Sequence, residues 1–162
     1  MKFAAHYLFS GQGAFLPKAW VEVDATGTVL RVVQPQAEFR ELAGMEFHSG
    51  IICPAFAPLF QHFNLNELVE VLPELKEFAK HCPAHTAGVK AVFNWIKAIQ
   101  LQEPSVSLEF LLELFSSKAA MLLGNERTGR LEPGQQPGLV LLTGIDYRQL
   151  RLTENSRLRK LI

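Results

Sequence analysis

The sequence predicts an α+β protein in which strands come first, helices occupy the middle and strands return. Three observations carry that expectation. Residues 1–58 are rich in β-branched and aromatic residues broken by turn signals, residues 64–124 place apolar residues at helical spacing, and strand signals resume after Gly124. The 162 residues can bury roughly two-thirds of their unfolded surface without help from disulfides or metal. They are too few for a (β/α)8 barrel, which takes about 200 residues at the least.

In chain order, the first region predicts strands over 3–9, 18–24, 28–34 and 46–53, with Gly11-Gln12-Gly13, Asp24-Ala25-Thr26-Gly27 and Ser49-Gly50 as the turns between or beside them. The strands flanking Asp24 to Gly27 are expected to pair as an antiparallel hairpin. Their incomplete alternation implies a sheet covered in part on both faces. In the middle region, Asn64 or Asn66 can cap a helix carrying Leu68, Val69, Leu72, Leu75 and Phe78, which Pro73 kinks or restarts. Thr86 can cap a second, whose Val89, Val92, Phe93, Ile96 and Ile99 form one apolar stripe. Ser105 or Ser107 opens a third, with Leu108, Leu111, Leu112, Phe115 and Leu122 on one face, Phe110 and Leu114 widening it, and Gly124 ending it. Beyond it, Thr128 to Gly134 reads as a short strand and turn, Leu139 to Leu142 as a fully buried strand, and Tyr147 to Leu152 and Arg157 to Ile162 as two more.

Charge and cysteine usage narrow the function. Sixteen Lys and Arg balance sixteen Asp and Glu, so no net field gathers nucleic acid or an anionic membrane surface around the chain. The basic run Arg148, Arg151, Arg157, Arg159 and Lys160 alternates with leucines and reads as a strand with one wet face. No apolar stretch reaches the roughly 18 residues of a membrane span. Cys53 and Cys82, with no CxxC spacing, fit free, buried thiols in a reducing compartment, so the cytoplasm is the expected location.

The two strand regions carry a resemblance. Leu8-Phe9-Ser10-Gly11, Trp20 to Asp24 with Gly27-Thr28-Val29, and Phe47 to Phe56 resemble the opening of the metal-dependent amidohydrolase superfamily, which includes the dihydroorotases and the nucleobase and nucleoside-type deaminases. Ser107 to Leu112, Ala119 to Gly124 and Gly129 to Leu142, with its Leu131-Glu132-Pro133-Gly134 segment, are similar to the family's closing helix and return strands. The resemblance implies one composite β-sandwich built from residues 1–58 and 125–162 of a single domain. About three helices from 64–124 then stand where the family inserts its barrel.

It also implies a broken metal centre. Setting Pro54-Ala55-Phe56 on the family's Pro-Gly-Phe puts its His-x-His positions at Phe60-Gln61-His62, so a phenylalanine replaces the first ligand and His62 alone matches as a vestigial metal residue. A hydrolytic zinc needs about three protein ligands. With no segment for the remaining ones, the expectation is a degenerate amidohydrolase-like pseudoenzyme with no catalytic or cofactor-binding residues and no cofactor. It would act as a binding or assembly module, with a homodimer or a protein partner covering the apolar helical region. Apolar Phe56, Leu59, Phe60, Phe63 and Leu65, extended by Phe93, Trp95 and Leu101, fit a site given over to packing.

The rival reading is a zinc-dependent hydrolase of carbon–nitrogen bonds other than peptide bonds, with a reorganised site near His62 drawing on His48, or on His81 and His85. His81-Cys82-Pro83-Ala84-His85 is a local cluster with ligand chemistry, and Pro83 makes it a turn between helices: either a surface metal site or a solvated loop. Ser10, Ser49, Ser116 and Ser117 have no nucleophile-elbow context, and Gly11-Gln12-Gly13 lacks the third glycine of a dinucleotide loop.

Overall fold

The computed structural model describes residues 1–35, 43–56, 65–82, 89–125 and 127–162. Its strands are β1 (Lys2–Leu8), β2 (Leu16–Pro17), β3 (Trp20–Val23), β4 (Val29–Val33), β5 (Met45–Pro54), β6 (Leu139–Asp146) and β7 (Arg151–Lys160). They form one seven-stranded sheet in the order β4-β3-β1-β5-β6-β7, with β2 paired to β1. Both ends of the chain therefore build a single sheet, and the helices lie between them in sequence with no barrel. The architecture is the expected α+β one.

The central pair, β1 with β5, is parallel, and its register slips between Ala5 and Tyr7. Every other pairing is antiparallel, including the expected β3–β4 hairpin around Asp24. At that turn the Asp24 carboxylate accepts from the Thr26 and Thr28 amides. Both faces of the sheet are covered. One buries Phe3, Leu8, Val21, Val29, Ile52 and Leu141, joined by Leu131 and Ile162. Ile162, which follows β7, reaches the space beside Gly27 just before β4, at the other end of the strand order, so the sheet closes over this core. The opposite face takes the helices in a larger core that includes Phe9, Ile51, Cys53, Val140 and Leu142.

Helix α1 (Leu65–Val71) ends before Pro73, which restarts the chain as a 3-10 turn over Pro73–Glu77, as expected. Asn66 lies inside α1 and is not its cap; Asn64 falls outside the described residues. Helix α2 (Val89–Gln102) buries Val92, Phe93, Ile96 and Ile99, while its expected cap Thr86 is again outside them. Buried Gln100 ties α2 to β7 by accepting from the Leu152 amide at 2.7 Å. Without it that donor would be buried unpaired, at a cost of roughly 1–3 kcal/mol. Ser107, not Ser105, caps α3 (Leu108–Glu113), its hydroxyl accepting from the Phe110 amide.

A π turn over Leu114–Lys118 follows and leads into α4 (Ala119–Leu122). Its extra residue rotates everything downstream by about 100°. Leu122, expected on the buried face, is consequently 47% exposed, and Ala119 and Ala120 face the core instead. Gly124 ends the helix as expected, at φ +65°. Its amide bonds Met121 O while the Asn125 amide bonds Ala120 O, the double closure of a Schellman motif.

Two expected strands are absent among the described residues. Thr128 to Gly134 is a bend whose Gly129 and Gly134 have positive φ and whose Pro133 has no amide to donate. Its backbone still makes isolated bonds, from Leu131 N to Ser10 O and from Gly134 N to Val29 O, and so spans from the β1–β2 loop to β4. Tyr147 to Leu150 is the turn between β6 and β7, with Leu150 at φ +50° and the Asp146 carboxylate accepting from the Arg148 amide. Strand β7 then runs unbroken through the position read as a gap.

Candidate functional site

The segment that resembles the approach to a metal motif, Pro54 to Phe56, leads into packing. Strand β5 delivers Cys53 and Pro54, and the Ala55 amide bonds Gly138 O. Phe56 is then 1% exposed, in one core with Leu72, Leu75, Trp95 and Phe115. Phe60, Gln61, His62 and Phe63 lie outside the described residues, as does His85. Leu101, expected to extend the cluster, is 41% exposed near the end of α2.

The described histidines do not converge. His48 on β5 stacks on Phe3, its ring centroid 6.0 Å away, and its Nδ1 accepts from Arg159 at 3.1 Å. Burial, with the Arg159 charge behind it, holds this imidazole below the usual histidine range. His81 sits in a 3-10 turn against the end of α2, 3.1 Å from the Glu103 carboxylate, which Lys80 also reaches at 3.4 Å. The hydrogen bonds from His81 and Lys80 hold the Glu103 carboxyl below its usual value. Cys82 next to it points inward, and burial pushes its thiol up to about 11; Cys53 is likewise pushed up by burial. Neither is a ready thiolate. Among the described residues no three His, Cys, Asp or Glu side chains group to hold a metal ion.

The serines have structural duties. Ser116 Oγ donates to Leu112 O, and Ser117 Oγ to Gly11 O across the interface with the β1–β2 loop. Ser10 Oγ donates to Gln12 O.

A different constellation opens on the sheet, where the parallel β1–β5 register slips. A cavity of about 420 Å³ is lined by His6 and Tyr7 of β1, Pro17 of β2 with Lys18 after it, Phe47 of β5, and Tyr147 of the β6–β7 turn. The extra residue of the slip is on β5, where Ser49 and Gly50 stand opposite His6 alone. His6 meets Phe47 edge-on at 5.3 Å and Tyr147 at 5.0 Å, while Tyr7 stacks parallel to Tyr147 at 6.3 Å. The Tyr147 hydroxyl lies 3.4 Å from Ser49 Oγ. Phe47 is 49% and Tyr147 38% exposed. Lys18 adopts φ +57°, pinned by its amide's 3.0 Å bond to His6 O. A left-handed lysine costs roughly 1–2 kcal/mol that glycine would not. None of this was legible along the sequence, since the contributing segments lie far apart and parallel pairing carries no turn signal.

No protein-family model matches this chain, and no curated protein does. Among solved structures it is similar to the N-acetyl-D-glucosamine-6-phosphate deacetylase of Mycobacterium smegmatis in complex with N-acetyl-D-glucosamine-6-phosphate, at 15% identity and a TM-score of 0.27 over 65% of this chain. The chain spans 30% of that enzyme's length. No helix among the described residues is long and apolar enough to cross a membrane.

Proposed function

We propose that this chain is a degenerate amidohydrolase-like protein that does no catalysis and serves as a binding or assembly module. The observation that carries the reading is Phe56: the segment resembling the approach to a metal motif runs into a closed apolar core. A hydrolytic centre needs converging donors and an open coordination position for water. Two of the three described histidines are instead spent on structural partners, His48 on Arg159 and His81 on Glu103. Met121, Leu122, Leu101 and Phe110 stay exposed on the helices, in keeping with the assembly side of the reading.

The test is to load the purified protein with zinc, dialyse it, measure bound metal, and assay hydrolysis of a panel of cyclic amides, ureides and aminopurines. Bound zinc far below one per chain and no turnover is the expected result. Stoichiometric, tightly held zinc accompanied by hydrolysis overturns the reading in favour of a carbon–nitrogen hydrolase with a reorganised site near His62. Light scattering across a concentration series checks assembly: a dimer supports it, and a monomer at every concentration leaves binding of another molecule as the role.

A further inference from the structure

We infer that the aromatic cavity between β1, β5 and the β6–β7 turn binds a small planar aromatic anion, an aryl carboxylate or sulfonate of one or two rings. The inference uses none of the residues that carry the proposed loss of catalysis and stands apart from it.

Three observations select that ligand. First, the walls are rings: His6, Tyr7, Phe47 and Tyr147 come from three elements and are held by contacts with one another, so the surface is shaped before any ligand arrives. Preformed aromatic walls favour flat partners, by stacking and edge-to-face contact. Second, the cavity, at about 420 Å³, lies within the roughly 300–1,000 Å³ of small-molecule sites. It is too small for a folded partner and ample for a two-ring ligand.

Third, the charge at the cavity has one sign. Lys18 lines it, no ion pair among the described residues involves that lysine, and no carboxylate appears in the lining. Aromatic cages that take cations depend on the ring faces with no competing positive charge. Here a cationic guest would meet Lys18, whereas an anionic one gains a charge-assisted contact while its ring rests on Phe47 and Tyr147. The position of the lysine is itself telling. It holds a left-handed backbone that glycine would adopt freely, immediately after Pro17, and its amide's bond to His6 O fixes its main chain beside the ring-bearing strand β1.

The experiment titrates 2-naphthoate into the isotope-labelled full chain and follows backbone amide shifts, with uncharged 2-naphthylmethanol and non-aromatic cyclohexanecarboxylate as comparators. Saturable shifts centred on His6, Lys18, Phe47 and Tyr147 are expected, with 2-naphthoate binding about tenfold more tightly than either comparator. Lys18→Gly removes the charge at a site where glycine fits the backbone, so folding is retained. It should weaken 2-naphthoate about fivefold and leave 2-naphthylmethanol unchanged. Phe47→Ala, at an exposed strand position, should weaken both aromatic ligands, and its thermal midpoint reports that it folds. The inference is overturned if 2-naphthoate gives no saturable shifts, if the shifts centre elsewhere, if the uncharged ligand binds as well as the acid, or if Lys18→Gly binds 2-naphthoate like the parent.

Discussion

Replacing Gly129 with alanine measures how closely the 127–131 bend presses on the π turn. Gly129 has φ +83°, and a methyl group there would sit 2.7 Å from Ser116 O, 2.8 Å from Ala120 Cβ and 2.8 Å from Ser117 Cα. Two of the three are backbone atoms of a buried π turn, which cannot rotate away as a side-chain tip could. Gly134 supplies the control, with a similar φ of +87° and no atom within 4 Å of the added methyl. Gly134→Ala then carries the left-handed backbone cost alone, about 1 kcal/mol. Gly129→Ala adds overpacking of roughly 1–3 kcal/mol, for a total of about 2–4 kcal/mol. For a chain of this size, about 1 kcal/mol moves the thermal midpoint by roughly 2–4 °C. Urea unfolding followed by circular dichroism, with calorimetry beside it, gives both values. Equal losses at the two positions, within about 0.5 kcal/mol, would refute the close approach and with it the account of why the chain bends at 129.

Acid should separate the wild type from Glu74→Gln. The Lys118 hydrogen bond holds the Glu74 carboxyl below its usual 4.5, so the pair's contribution is full above that pH and fades as pH falls beneath it. Midpoints of the two proteins should differ at pH 7 and converge towards pH 3. His48 acts nearer neutrality: because its folded-state value lies below 6.5, the unfolded chain binds more protons, and stability should drop as pH falls through and below 6.5. His48→Phe, followed by the same melts, should flatten that limb. Cys53 and Cys82 are free and buried, with thiols raised by burial, so a disulfide reagent at pH 8 should label neither in the native protein and both in denaturant.

Much of the fold was legible because its signals are local. The Asp24 turn, the Ser107 cap, the Gly124 stop and the four buried residues Leu139 to Leu142 each depend on a few neighbouring side chains. What stayed hidden depends on tertiary accommodation. The π turn packs closely on Gly129 and bonds Gly11 through Ser117, contacts that lie outside the local 114–118 pattern; the phase error at Leu122 came from that single added residue. Tyr147 to Leu150 reads as a strand by composition, but the left-handed Leu150 makes it a turn. The aromatic cavity needs β1 beside β5 in parallel, and sequence periodicity does not specify strand order. The motif around Pro54 to Phe56 was visible, and so was the packing of Phe56 with Phe93 and Trp95, because all three are large apolar side chains in segments with no polar duty; exposed Leu101 was not part of it.

Pro54 and Leu139 are register partners on adjacent strands. The chain therefore leaves the sheet and re-enters it at neighbouring points, and the helices between are an excursion from one doorway, with the bend at 128–134 tied back to Ser10 and Val29 before the chain returns. Doubling the length of such a loop costs only about 0.6 kcal/mol in closure entropy. Strand order and pairing on both sides of the doorway can consequently survive large changes in what hangs from it. The same opening offers protein engineers a graft point, provided the graft supplies an apolar face to cover Ile51, Cys53, Val140 and Leu142.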